Sequence, residues 1–228
     1  MTELTLPLAL FNLLPVAFTA FGLWWIACLI DHLDPRHGRL ARVGAVAIVL
    51  GGAAKAAWKL ILVLTGLDLT WLAAALFPLI APGFALVAAA MAGAFLRQRA
   101  PVATGWLGPL VAVILACVLV LILARTLWLD IPRGWFLPLL TLASLANLAL
   151  SLLAIATAWR LGRRDAALLL AVNLTLVFAL PPIAVASPDT LLMHWLEQGL
   201  TALGTAAFAF GAQRLLATAQ GDQARSRA

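Results

Sequence analysis

Charge is what this sequence lacks most. Of 228 residues only 11% are Asp, Glu, Lys or Arg, while 64% are hydrophobic; soluble domains carry roughly a quarter charged residues. That scarcity excludes an ordinary soluble fold and places the chain in lipid. Cysteine is nearly missing. Cys28 and Cys117 both fall in apolar stretches, where free thiols act as small hydrophobes, so no disulfide is expected. Two Cys and three His are too few for the usual four-ligand zinc site. Tyr is absent, which beside the abundance of Ala, Leu and Arg reads as a compositional bias without functional content. The chain has no Gly-rich phosphate loop, nucleophile elbow, metalloprotease helix or pair of intramembrane His suited to haem. Neither cofactor nor metal is expected, and an enzyme is the less favoured class. The net charge of +6 would suit nucleic acid if the arginines shared one face. They are instead divided among short loops and a tail, so no nucleic-acid partner is expected.

What is present is a series of long apolar runs. A spanning helix needs roughly 20 mostly apolar residues. Seven such stretches occur, at about 6–30, 43–65, 70–96, 106–129, 136–160, 166–187 and 190–216. The expected fold is an all-α integral membrane bundle of seven transmembrane helices. It forms a single domain over 1–217, followed at 218–228 by a short basic cytoplasmic tail without fixed structure. Met1-Thr2-Glu3 lacks the positive start and the cleavage site of a secretory signal, so the first stretch reads as a permanent helix.

Basic residues alternate between joints. Arg36, Arg39 and Arg42 follow the first stretch, none the second, and Arg97 and Arg99 the third; Arg160, Arg163 and Arg164 follow the fifth, none the sixth, and Arg214, Arg225 and Arg227 lie at the end. Cytoplasmic loops are enriched in Lys and Arg. The pattern therefore predicts the amino terminus outside and the carboxyl terminus inside a bacterial-type inner membrane. Arg125 and Arg133 flank the one discordant joint, each near enough to a helix end to snorkel. Trp71, Trp106, Trp128, Trp135, Trp159 and Trp195 fall near predicted helix ends, as interfacial anchors do.

The joint before the third stretch, Asp68-Leu69-Thr70-Trp71, resembles Asp189-Thr190 and Trp195 before the seventh. Stretches one to three and five to seven would share one orientation, with the fourth as an inversion linker. This 3+1+3 parallel-repeat plan resembles the topology of the SWEET and PQ-loop transporters, although the chain has no Pro-Gln dipeptide.

Candidate functional residues concentrate near the outer end of the second stretch. In Gly51-Gly52-Ala53-Ala54-Lys55-Ala56-Ala57-Trp58-Lys59, Lys55 and Lys59 are the only lysines of the chain. Spaced four apart, they share one helical face with Gly52, where a neighbouring helix is expected to approach closely. A cation inside a span costs about 2.5–3.5 kcal/mol even on the lenient scale. Lys59 can snorkel; Lys55, deeper, needs a partner or water. Glu197 is the only carboxylate within any predicted span, at a depth that would let it meet Lys59. Asn12 and Gln198 reach the same layer, His194 sits one turn nearer the surface, and Trp58 is the aromatic candidate beside the lysines. Pro15, Pro78, Pro82, Pro181 and Pro182 thicken there too, and kinks free backbone carbonyls for water or ligand. The first basic loop, Asp31-His32-Leu33-Asp34-Pro35-Arg36-His37, matches no metal-ligand spacing and reads as a solvated turn.

These residues point to a transporter or binding protein for a small anionic or zwitterionic molecule entering from the periplasmic side. Lys55 and Lys59 would supply positive charge, Glu197 would balance it, and Asn12 and Gln198 would orient the ligand. Two other classes remain open: a non-catalytic subunit associating with other membrane subunits, and an intramembrane lipid-modifying enzyme using Glu197 and His194 as acid and base.

Overall fold

The computed structural model describes residues 5–99, 104–186 and 190–227; Ser187-Pro188-Asp189, on which part of the repeat resemblance falls, and the first four residues lie outside them. Among the described residues all regular structure is helical. The elements are α1 (Leu6–Phe11), α2 (Leu13–Leu33), α3 (Pro35–Thr65), α4 (Thr70–Ala74), α5 (Leu76–Arg99), α6 (Leu107–Leu123, closing in a π turn over Ala124–Trp128), α7 (Phe136–Arg160), α8 (Arg164–Ala186) and α9 (Leu191–Arg227). With α1–α2 and α4–α5 each counted as one broken rod, there are seven long helices.

Six of them are long and apolar enough to cross a membrane: Leu6–Leu33, Pro35–Thr65, Thr70–Gln98, Leu107–Trp128, Phe136–Arg160 and Arg164–Ile183. The seventh, α9, falls short of that apolarity although it is the longest, because Glu197, Gln198, Gln213 and Arg214 interrupt its apolar residues. It continues to Arg227, beyond the point where the hydrophobic run ends.

Two breaks follow from proline chemistry. Proline has no N–H to give the carbonyl four residues back. For Pro15 that carbonyl is Phe11, the last residue of α1; for Pro78 it is Ala74, the last of α4. At the first break the Asn12 side chain folds back on α1, its Nδ2 donating at 2.7 Å to the Leu8 carbonyl, which also accepts the Asn12 backbone N–H at 3.2 Å. Pro82, Pro181 and Pro182 sit inside continuous helices.

The second helix starts at Pro35 rather than near 43. Asp34 is its N-cap, accepting from the Arg36 N–H at 3.3 Å, with Pro35 at the first helical position, the place where a missing N–H costs nothing. The loop is therefore not a solvated turn. Asp34 is 1% exposed and His37 8%; His37 Nδ1 pairs with Asp34 Oδ2 at 2.8 Å, and Arg97 of α5 donates to Asp34 Oδ1 at 2.9 Å. Burial alone would push the Asp34 carboxyl up, but the hydrogen bond from His37, that from the Arg36 N–H and the charges of His37 and Arg97 more than offset it and hold it below the usual value.

The helices close on one another in a ring: α2 packs on α3, α3 on α5, α5 on α7, α7 on α8, α8 on α9, and α9 returns to α2. Its core joins Leu23, Ile26 and Ile30 of α2 to Met91 of α5, Leu150 of α7, Leu170 of α8 and Leu215 of α9. α3 and α5 meet backbone to backbone: a Cβ added to Gly44 would stand 2.6 Å from the Gly83 carbonyl oxygen, and one added to Gly83 would stand 2.8 Å from that of Gly44. Small residues at helix contacts are how apolar helices associate where lipid removes the hydrophobic drive. α6 lies outside the ring, against α5 and α7. The discordant joint after it is pinned by its own cation, since Arg125 Nε donates to the Gly134 carbonyl at 3.2 Å.

Candidate functional site

A polar cavity of about 260 Å³ lies between α1–α2, α3 and α9, lined by Asn12, Pro15, Val16, Gly52, Lys55, Ala56, Lys59, Gln198 and Thr201. Each contribution has a local cause. The break before Pro15 puts Asn12 at a joint between two helices. The four-residue spacing of α3 turns both lysines to one side. On α9, Gln198 and Thr201 are three apart and face the same way.

The hydrogen bonds orient the site. Because Asn12 Nδ2 is spent on the Leu8 carbonyl, its Oδ1 is presented to the cavity, where it accepts from Lys59 Nζ at 3.0 Å. An ammonium has three donors, so two on Lys59 are not used by Asn12. Lys55 makes no hydrogen bond or ion pair among the described residues, and it is exposed, whereas Lys59 is half-buried. Lys55 is ten residues from the end of α3, about 15 Å along the axis, and Lys59 six, so Lys55 is the deeper of the two.

Of the sequence candidates, the structure brings Asn12, Lys55, Lys59 and Gln198 together. Glu197 does not line the cavity and forms no ion pair within 4.0 Å with either lysine; its carboxylate is 3.9 Å from His194 Nδ1, too long for a hydrogen bond. Trp58 turns outward, its indole N–H donating to Asp68 at 2.8 Å. Trp195, a predicted anchor, meets Phe11 edge to face with centroids 5.5 Å apart and so joins α9 to α1. Gly52 is not a close-packing point: the nearest atom to an added Cβ is Val16 Cγ2 at 3.6 Å, and that open space belongs to the cavity.

Thr201, Val16 and Ala56 complete the lining without having been singled out in the sequence. For Thr201 a signal existed in its spacing from Gln198; the other two are apolar and carry none. Thr201 Oγ1 donates to the Glu197 carbonyl at 2.7 Å, leaving its lone pairs as acceptors.

Fold and cavity together define a multi-pass helical bundle, consistent with a membrane protein, that holds two lysines in a polar cavity between its first, second and last long helices. Comparison with known protein families, characterised proteins and solved structures finds no match to this chain.

Proposed function

We propose that the protein is an inner-membrane transporter or binding protein for a small anionic or zwitterionic molecule, taken up from the periplasmic side. The observation that carries this reading is the cavity itself: two cations meet an amide, a second amide and a hydroxyl from three separate helices, and no carboxylate among the described residues lines it. The two ammonium groups suit a carboxylate or similar oxyanion, because charge-assisted hydrogen bonds are the strong ones. Gln198 would orient that group, while Asn12 Oδ1 and the Thr201 oxygen, both presented as acceptors, would orient the cationic end of a zwitterion. Glu197, one residue outside, would act as a fixed counter-charge. A cavity of about 260 Å³, at ~30 Å³ for each water-sized atom, limits the ligand to roughly nine heavy atoms.

The alternation of basic joints supports an outer location for this cavity, with the amino terminus outside. The ring supports a 3+1+3 repeat. If α2, α3 and α5 are exchanged with α7, α8 and α9, the contacts α2 with α3, α3 with α5 and α5 with α7 become α7 with α8, α8 with α9 and α9 with α2, all of which occur. An open cavity around Lys55 also weighs against a purely structural polar cluster, which would be tightly packed.

The test is thermal stabilisation of the purified protein by a panel of small carboxylates, phosphates and zwitterions. We expect a subset to raise the midpoint, with Lys55→Ala and Lys59→Ala each weakening binding tenfold or more, since a hydrogen bond to a charged group is worth about 1.5–3 kcal/mol. Variants that bind every ligand as the parent does would overturn the reading. A second substitution acts on the space alone. Gly52→Ala meets nothing closer than 3.6 Å and removes a helix-interior glycine, so its stability should equal or exceed the parent's by up to ~1 kcal/mol, while ligand affinity falls.

A further inference from the structure

A second, larger cleft of about 500 Å³ opens at the opposite end of α3, lined by Arg36, His37, Arg39, Leu40, Val43, Leu86, Thr104, Gly105 and Gly108. The basic residues around it are nearly all engaged. Arg42 pairs with Asp31 at 3.4 Å, Arg97 with Asp34 at 2.9 Å and Arg214 with Asp165 at 3.0 Å, while Arg160 lies over the Phe95 ring. Arg36 and Arg39 are different. Both are exposed, and neither guanidinium has an ion pair or hydrogen bond among the described residues. Among the described residues no carboxylate lines the cleft. Of those beside it, Asp34 is taken up by His37 and Arg97 and Asp31 by Arg42.

Thr104 stands opposite the arginines on the α5–α6 joint. It is 5% exposed, and its hydroxyl has no partner among the described residues. Below the cations the wall turns apolar. Arg36, Leu40 and Val43 follow one another along one stripe of α3, with Leu86 of α5 and the side-chain-free Gly108 of α6 facing them, over a length of about 10 Å. The cleft thus has a cationic mouth at the basic end of the bundle and an apolar trough running towards the bilayer centre. Val43 is 56% exposed, so the trough is open on the side where lipid would lie.

We infer that this cleft is a binding site for an anionic phospholipid, with Arg36, Arg39 and the Thr104 hydroxyl on the phosphate and one acyl chain along Leu40, Val43 and Leu86. A soluble anion would use only the mouth and leave the trough unfilled; a zwitterionic lipid would fill the trough but bring a cationic headgroup to two uncompensated arginines. Basic clefts between helices at the cytoplasmic face are where acidic headgroups are recognised. The inference rests on the membrane reading of the chain and is independent of the lysine cavity.

Native mass spectrometry of the delipidated full-length protein titrated with phosphatidylglycerol or with phosphatidylcholine of the same acyl chains provides the test. The parent should bind phosphatidylglycerol at least tenfold more tightly, at about fivefold per arginine. Arg36→Gln/Arg39→Gln should bring the two lipids to parity, whereas Arg164→Gln, at a separate basic joint, should keep the preference. Gly108→Leu puts a side chain where nothing stands within 4 Å and should weaken both lipids while leaving both cations in place, which keeps the inference testable if the double variant fails to fold. A preference that survives in the double variant overturns the site, and so does Gly108→Leu binding both lipids as tightly as the parent. So does a preference lost equally in Arg164→Gln, which would make it general surface charge. Displacement of phosphatidylglycerol by equimolar inorganic phosphate would make the mouth a soluble-anion site and overturn the lipid assignment.

Discussion

Asp34→Ala is expected to lower the stability of the protein by about 3 kcal/mol, the sum of a lost helix cap of ~1 kcal/mol and a lost charged hydrogen bond of about 1.5–3 kcal/mol. Asp34 is 1% exposed and holds three groups at once: the Arg36 N–H at the start of α3, the His37 ring one turn on, and Arg97 near the end of α5. Removing it leaves His37 buried without its partner. Arg97, whose side chain is 38% exposed, can turn to water, so the loss stays below that of a fully buried pair. The effect has a pH signature. Because the folded carboxyl titrates below its unfolded value, which is near 3.9, its stabilisation is fully present above that value and disappears as pH falls through the lower folded one. The gap in thermal unfolding between parent and variant should be open at about pH 5 and close as the medium is acidified below about 4. A difference that persists in acid would mean that the cavity left by the side chain, not its charge, is responsible.

Gly44→Val should be at least as damaging, for a reason that has nothing to do with charge. The new Cβ would stand 2.6 Å from the Gly83 carbonyl oxygen, 2.8 Å from Val87 Cγ2 and 3.0 Å from Leu86 Cβ. A backbone oxygen cannot rotate away as a side chain can, so α3 and α5 must separate. Overpacking costs about 1–3 kcal/mol and sometimes more; with a backbone clash on the longest contact of the ring we expect the upper end, seen as a lower unfolding midpoint and a loss of monodispersity in detergent. The comparison with Gly52→Ala on the same helix is informative: one glycine is a contact, the other is space.

Much of the architecture could be read in the sequence because hydropathy is a property of local runs. Seven helical stretches stand out that way. What hydropathy misses is capping: the Asp34-Pro35 pair carries the N-cap and N1 signature of a helix start, yet the polar residues after it delay the hydrophobic run until about 43, and α3 gains a turn and more that the run does not show. The network around Asp34 was hidden for another reason. Its partner Arg97 is 63 positions away, and no window along the chain sees both. For α9 the helical character was legible but not the length: the expected end near 216 and an unstructured tail give way to a helix that runs to Arg227, and Glu197, Gln198, Gln213 and Arg214 make it less apolar than the other six. In the cavity, helical spacing placed Lys55 and Lys59 together and shared depth brought in Asn12 and Gln198. Spacing could not show that Trp58 is drawn off by Asp68 on the following loop.

The closure of the ring between α9 and α2 bears on how the molecule is made. A chain is synthesised from its amino end, and the wall that Gln198 and Thr201 add to the lysine cavity is the last to arrive. Until then Lys55 and Lys59 have only Asn12 and its neighbours beside them, and two cations in an incomplete bundle are costly in lipid. A bundle that lacks α9 therefore leaves both lysines on an open face, without the wall that Gln198 and Thr201 supply.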